Sequence, residues 1–112
     1  MKKESEMGYA AIKFSKMDQV VRITFKRPEA RNALNAEVIA DLSKAVEEIK
    51  NSPDVKAVVF TGEGDSFCAG ADLKYIQQAM ATDESLVSKF GTQLVETLLT
   101  VGEIPIPTIA MV

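Results

Sequence analysis

Residues 64–76, GDSFCAGADLKYI, place small residues directly before a predicted helix. Gly70 allows the backbone to approach a ligand closely, and Ala69 and Ala71 keep that approach free of bulky side chains. A helix that begins near Asp72 leaves its first N–H groups without partners inside the helix, and these groups favour negative charge. The segment therefore predicts a site where backbone amides stabilise a developing oxyanion. Taken alone, the local pattern is more often explained by close packing at a strand-to-helix turn.

The composition excludes several other chemistries. The chain has 112 residues, a net charge of −3, one cysteine and no histidine. It therefore cannot build a His-based catalytic triad, an ordinary His-containing zinc site or an internal disulfide, and its cysteine usage is typical of the reducing cytosol. No clustered basic surface, apolar membrane span or targeting segment is visible. We expect a cytoplasmic protein without a nucleic-acid partner, a membrane span or a metal.

The elements around the opening segment predict an α/β fold. Residues 9–14 and 20–25 are predicted strands, the second with a clear alternation of apolar and polar positions, joined by a turn at 15–19. Residues 55–62 form a nearly continuous apolar run, typical of a strand that is covered on both faces. Residues 108–112 predict another buried strand. The order of strand, strand, helix and strand indicates helices packed on a sheet.

Two amphipathic helices are predicted besides the one that begins near Asp72. Asn35 is the expected N-cap of the first, which should end near Asn51 because Pro53 disfavours helical geometry in the preceding residue. Its solvent face is expected to carry Asp41, Lys44, Glu47, Glu48 and Lys50. The other helix is predicted over residues 82–101, with Thr82 as its cap. Residues 1–8 are expected to be a disordered tail, and residues 9–112 the N-terminal part of a larger domain.

The combination of these segments is more specific than any one of them. The order RPEARNALN, helix, VKAVVFTGEGDSFCAGADL, helix and IPIPTIAMV resembles the crotonase, or enoyl-CoA hydratase/isomerase, superfamily. The resemblance runs from about Val20 to the last residue. It implies a superhelix of repeated β-β-α units, truncated here after roughly the first half of the family domain. It also implies an acyl-CoA thioester as partner, with coenzyme A as part of the substrate and no permanently bound cofactor, and assembly as a homo-oligomer, a trimer or hexamer.

The same resemblance assigns roles to residues of the opening segment. The backbone N–H of Ala71 would be the first of two oxyanion-hole donors to the thioester carbonyl. The carbonyl of Ala69 would lie near the adenine of coenzyme A. The bound thioester would be bordered by Asp72, Leu73 and Lys74.

A second set of residues would follow the pantetheine and phosphate portion of coenzyme A. These are Ala30, Arg31 and Ala33 of the RPEARNALN loop. Arg31 and Lys74 either contact phosphate or are solvated charges. Cys68 is expected to be a small buried apolar filler, because no histidine is present to activate its thiol.

The resemblance implies that part of the family's machinery is missing from this chain. In the family, the second oxyanion donor lies in a Gly-rich loop after the strand that corresponds to PTIAMV, and the acid–base glutamates follow later. The predicted function is that of an acyl-CoA-handling enzyme of the enoyl-CoA hydratase/isomerase type. The chain alone is expected to be inactive, because acid–base groups typically contribute roughly a further 10²–10⁴-fold. Two alternatives stay open: a non-catalytic module for CoA-thioester binding or oligomerisation, and an inert truncated fragment.

Overall fold

The computed structural model describes residues 5–112, and for residues 5–7 the backbone only. One five-stranded sheet has its strands in chain order: β1 (Ser5–Met7), β2 (Ile12–Met17), β3 (Val20–Phe25), β4 (Ala57–Gly62) and β5 (Thr108–Met111). The pairs β1–β2 and β2–β3 are antiparallel, whereas β3–β4 and β4–β5 are parallel. The helices are α1 (Ala36–Lys50), α2 (Leu73–Thr82) and α3 (Glu84–Gly102), with a short 3-10 helix at Pro28–Ala30. Both parallel connections run through helices, which confirms the α/β class.

The strand predicted at residues 9–14 lies three residues later, at Ile12–Met17. β2 continues to Met17, so the predicted turn at 15–19 shrinks to Asp18 and Gln19. Asp18 has a φ of 58°, as a tight two-residue hairpin turn requires and as aspartate tolerates. Residues 5–7, assigned above to a disordered tail, instead pair with β2 as β1. The rest of that predicted tail, residues 1–4, lies outside the described part of the chain.

The core lies between one face of the sheet and α1. Its completely buried side chains include Ile12, Val21, Ile23 and Val58 from the strands and Val38, Leu42 and Val46 from the helix. The predicted N-cap is confirmed, because the Asn35 side chain accepts a hydrogen bond from the Val38 N–H at 3.0 Å. The helix ends at Lys50 with Asn51 as its C-cap, also as predicted.

The predicted solvent face of α1 is wrong at Asp41. This carboxylate is only 8% exposed and accepts a hydrogen bond from the Ala11 N–H at 2.8 Å. Helical periodicity assigns a charged residue to solvent, but it carries no information about the segment before β2 that crosses this part of the helix. The carboxylate is stable there because burial of a charge is tolerated when it is hydrogen-bonded.

The strands β4 and β5 are less covered than their apolar sequences predict. In β4, Val58 and Phe60 are buried, whereas Val59 and Thr61 on the opposite face are half-exposed. Every residue of β5 is exposed. The prediction of a strand covered on both faces is therefore wrong for β4, and the prediction of a buried strand is wrong for β5. Among the described residues, the largest buried side chains of the strands lie on the α1 face of the sheet.

The cap of the predicted second amphipathic helix lies one residue later than assigned. Thr82 is the last residue of α2, and Asp83 caps α3 by accepting a hydrogen bond from the Ser85 N–H at 3.0 Å. The helix predicted to begin near Asp72 is confirmed as α2. The two helices pack through Tyr75 and Phe90, whose ring centroids are 4.9 Å apart.

A structural repeat with a spacing of 37 residues relates the β3–α1 unit to the β4–α2 unit. Parallel partners in β3 and β4 differ by 37 in number, as Val20 and Ala57 do. The same offset relates Leu34 and Ala71, which form an isolated parallel bridge, and also the N-cap residues of α1 and α2. Each unit is thus a strand, a short paired segment and a capped helix, the β-β-α pattern that the resemblance implied.

Candidate functional site

The eight residues proposed for the site line one open cleft of about 880 Å³, between the loop after β3 and the beginning of α2. These residues are Ala30, Arg31, Ala33, Ala69, Ala71, Asp72, Leu73 and Lys74. Ala33 and Asp72 are buried, and the other six are half-buried or exposed. Five further residues line the same cleft: Arg27, Glu29, Asn35, Tyr75 and Gln78.

The backbone of Ala71 faces away from its bridge partner. The Leu34 N–H donates to the Gly70 carbonyl at 2.7 Å, and the Asp72 N–H donates to the Leu34 carbonyl at 2.8 Å. In a parallel pair of this kind, the residues on either side of the bridged residue supply its hydrogen bonds, so the N–H of Ala71 points to the opposite side. Within residues 5–112, no group accepts a hydrogen bond from this N–H.

Gly70 is required by its backbone angle. Its φ is 98°, in the left-handed region that residues with a side chain rarely adopt, although a Cβ added there would meet no atom within 4 Å. This angle turns the chain between Ala69, whose N–H donates to the Arg31 carbonyl at 3.1 Å, and the bridge at Ala71. The glycine therefore serves the course of the backbone, and the space beside it stays open.

Asp72 joins the beginning of α2 to the loop after β3. One carboxylate oxygen, Oδ1, caps the helix by accepting from the Tyr75 N–H at 3.2 Å, and the other accepts from Arg27 Nη2 at 2.9 Å. Burial by itself would raise the pKa of this carboxyl, but the hydrogen bonds from Tyr75 and Arg27 outweigh it and hold the pKa below its ordinary value. Capping and ion pairing thus account for Asp72 at the beginning of α2, and its predicted contact with a thioester stays a prediction.

Asn32 is a central residue that the sequence analysis missed. It is 1% exposed, its φ is 57°, and its side chain accepts a hydrogen bond from the Arg27 N–H at 2.8 Å. Its amide group donates to the carbonyls of Glu63 at 3.0 Å and Ser66 at 2.7 Å. These bonds attach the RPEARNALN loop to the loop that leads into the FCAGADL segment. Asparagine tolerates the left-handed region better than most residues, and its place in a turn-rich loop was the available signal.

Arg27 was missed for a different reason. Its guanidinium reaches Asp72, 45 positions later, and also donates to the Ala33 carbonyl. A single arginine before a proline gives no indication of a partner at that distance in sequence. The pairing exists only because the 37-residue repeat brings the two loops together.

The remaining candidate residues take no visible part in the cleft. Cys68 is half-buried against the core, so its predicted packing role holds although its burial is incomplete. Glu63 and Asp65 are exposed. In the described part of the chain, no cluster of three or more metal-ligating side chains occurs, and no helix is both long and apolar enough to cross a membrane.

The pKa of Asp72 predicts how stability depends on pH. Because the folded-state pKa lies below the unfolded-state value of about 4, the ionised carboxylate stabilises the fold fully above that value. This contribution is lost as the pH falls through the folded-state pKa. Urea unfolding between pH 6 and pH 2 should show that the stability difference between wild type and Asp72→Asn is constant above about pH 5 and narrows below about pH 4.

A second background tests the origin of that dependence. In Arg27→Gln, one of the hydrogen bonds that lower the pKa of Asp72 is removed. In this background, the stability difference between the proteins with Asp72 and with Asp72→Asn should therefore decrease less as the pH falls. An unchanged pH dependence in this background would contradict the assigned role of the arginine.

The fold and the cleft define an α/β protein with repeated β-β-α units and an open cleft at the beginning of a helix. The family model for enoyl-CoA hydratase/isomerase matches residues 15–112. The chain belongs to the enoyl-CoA hydratase/isomerase family, and its fold is the crotonase fold.

Individual relatives agree with this assignment. The chain is 36% identical over 90 residues to the enoyl-CoA hydratase EchA19 of Mycobacterium tuberculosis, an alignment that covers 80% of this chain and 34% of the relative. It superposes on AtuE of Pseudomonas aeruginosa with a TM-score of 0.86 and 25% identity, covering 92% of this chain and 40% of that one. An enoyl-CoA hydratase/isomerase from Xanthobacter autotrophicus Py2 gives a TM-score of 0.81 and 32% identity, over 94% of this chain and 39% of that one. The chain therefore spans between a third and two-fifths of the length of these proteins.

Proposed function

We propose that this chain provides the thioester-binding part of an acyl-CoA-handling site of the enoyl-CoA hydratase/isomerase type. In this proposal the N–H of Ala71 donates a hydrogen bond to the thioester carbonyl oxygen, which gains negative charge as the enolate forms. The observation that carries the proposal is the N–H of Ala71, a residue that lines the cleft: it faces away from Leu34 and has no acceptor within residues 5–112. Family membership supplies the class of substrate.

The neighbouring residues support an acyl-CoA ligand. Ala30, Ala33 and Ala69 leave one side of the cleft without long side chains, which suits a thin pantetheine arm. Arg31 and Lys74 are exposed at the same cleft and supply positive charge for phosphate groups. A preorganised donor of this kind contributes about 3–4 kcal/mol to an oxyanionic transition state when it is shielded from water. Assembly into homo-oligomers and a cytoplasmic location stay predictions.

A second candidate function is binding of CoA thioesters without turnover. The observation that favours it is the state of Asp72, the buried carboxylate of the cleft, which is held by both Arg27 and the Tyr75 N–H. A carboxylate in this state is a poor acceptor for a substrate proton, because protonation would break its charge-assisted bond with the arginine. The exposed Glu29 is the other carboxylate that lines the cleft.

Calorimetry with two matched ligands tests the proposed carbonyl contact. Butyryl-CoA and S-butyl-CoA differ only in the thioester oxygen, so the ratio of their dissociation constants isolates contacts to that atom. We expect butyryl-CoA to bind about 2- to 10-fold more tightly, the equivalent of one net hydrogen bond of about 0.5–1.5 kcal/mol. Equal affinities would contradict the proposal. Incubation with crotonyl-CoA separates the candidates, since hydration indicates the enzyme and binding without product indicates the binder.

The contact is assigned to one atom by replacing the Ala71 amide with an ester. The single cysteine, Cys68, allows ligation of a synthetic segment 68–112 that carries the ester. The carbonyl preference should fall to a ratio of about 1. An ester at Thr92, in α3 away from the cleft, removes a helix amide and should leave the ratio unchanged. A preference that survives the Ala71 ester would show that another donor binds the oxygen.

A further inference from the structure

We propose that Arg27 is a positioning residue that sets the direction of the Ala71 amide. This inference rests on the proposed function, because the direction matters only if the amide binds the thioester oxygen. Arg27 lines the cleft, but its guanidinium binds one group in each of the two segments that the Leu34–Ala71 bridge joins. Nη1 donates to the Ala33 carbonyl, and Nη2 donates to the Asp72 carboxylate at 2.9 Å.

Arg27 joins the same two segments that the bridge joins. Ala33 directly precedes Leu34, whose N–H and carbonyl bind Gly70 and Asp72. The guanidinium therefore adds a second connection between the two segments, through Ala33 and Asp72, which are the neighbours in sequence of the bridged residues. With both connections in place, rotation of the Ala71 peptide plane would require the bridge, the ion pair or both to open.

The backbone of Arg27, from which the guanidinium extends, is itself held in place. The Asn32 side chain accepts from the Arg27 N–H, and the Asn32 N–H donates to the Arg27 carbonyl, both at 2.8 Å. The ion pair is largely shielded, with 20% of the arginine side chain and 12% of the Asp72 side chain exposed. A planar guanidinium offers several donors in a fixed geometry, whereas a lysine ammonium is a single point charge that does not reproduce this pair of contacts.

The experiment compares Arg27→Lys with wild type using butyryl-CoA and S-butyl-CoA in calorimetry. We expect the carbonyl preference of about 2- to 10-fold in wild type to fall to about 1 in the variant. Affinity for S-butyl-CoA, which has no carbonyl oxygen, should change less than about twofold. Arg22→Lys is the matched control, because Arg22 lies on the exposed face of β3 and the same substitution there should preserve the preference.

Each outcome separates a positioning role from the alternatives. Equal weakening of both ligands in Arg27→Lys, with the preference retained, would mean that the arginine only maintains the cleft and would overturn the inference. If the lysine variant does not fold, Asp72→Asn removes the charge of the same pair while it keeps an asparagine cap for α2, and the preference should again fall to about 1. A preference retained in that variant also overturns the inference. Absence of any preference in wild type would instead overturn the proposed function.

Discussion

Replacing Gly62 by alanine is expected to destabilise the chain by about 3 kcal/mol, at the upper end of the usual range for overpacking. A Cβ at this position would lie 2.3 Å from the Ser66 carbonyl oxygen, 2.6 Å from the Phe67 carbonyl oxygen and 2.8 Å from the Phe67 Cα. These are backbone atoms, so no side chain can rotate to relieve the contact. The loop from β4 to the FCAGADL segment would have to move as a whole.

The matched control is the same substitution at Gly91. This residue lies inside α3, and an added Cβ would meet no atom within 4 Å. Gly91→Ala should therefore stabilise the chain by about 0.5–1 kcal/mol, because alanine loses less backbone freedom than glycine in a helix. Urea unfolding of both variants gives the two free-energy changes. If Gly62→Ala unfolds at the same urea concentration as wild type, the loop after β4 can move to accommodate the Cβ at little cost, which contradicts the prediction.

Asn32→Ala is expected to destabilise the chain by about 3 kcal/mol or more, from two independent causes. First, the Arg27 N–H and the carbonyls of Glu63 and Ser66 lose their side-chain partner. Each buried polar group left without a partner costs about 1–3 kcal/mol unless water reaches it. Second, alanine at a φ of 57° costs about 1–2 kcal/mol in the left-handed region.

Two further variants separate these causes. Asn32→Gly also removes the side-chain hydrogen bonds, but glycine adopts a positive φ without the cost that alanine has. It should therefore be less destabilising than Asn32→Ala. Asn51→Ala is the control for losing an asparagine, because Asn51 is exposed and caps α1 through its backbone N–H. Thermal and urea unfolding should show a change within about 0.5 kcal/mol for this control. Equal stabilities for wild type and Asn32→Ala would show that the two loops do not depend on this side chain.

Local patterns in the sequence were sufficient for the elements that carry the site. Alternating residues predicted β3 at its observed bounds, because its buried face and its exposed face differ in polarity. Asn35 predicted the beginning of α1, since an N-cap acts on an N–H only three residues away. The residues before Asp72 predicted the beginning of α2, whereas the amide site expected there stays a prediction. The FCAGADL motif indicated the family.

Two of the failures share a physical cause, which is dependence on distant parts of the chain. Asp41 looked solvated because helical periodicity does not include its bond to Ala11, 30 positions earlier. The exposure of β5 depends on what covers it, and an apolar sequence cannot specify that. The cap of α3 was misplaced by one residue because Thr82 and Asp83 are both capable of capping, and the preceding helix uses the threonine.

The sequence by itself determined the α/β class, the bounds of α1 and α3 to within two residues, and the beginning of α2. Only the tertiary structure decided that the Ala71 N–H is left free, because this depends on a bridge to Leu34 at an offset of 37 residues. It also decided which side chains hold that bridge in place. Arg27 and Asn32 do so through contacts with Asp72, Glu63 and Ser66, and contacts between residues more than 30 positions apart follow from the packing of the two β-β-α units.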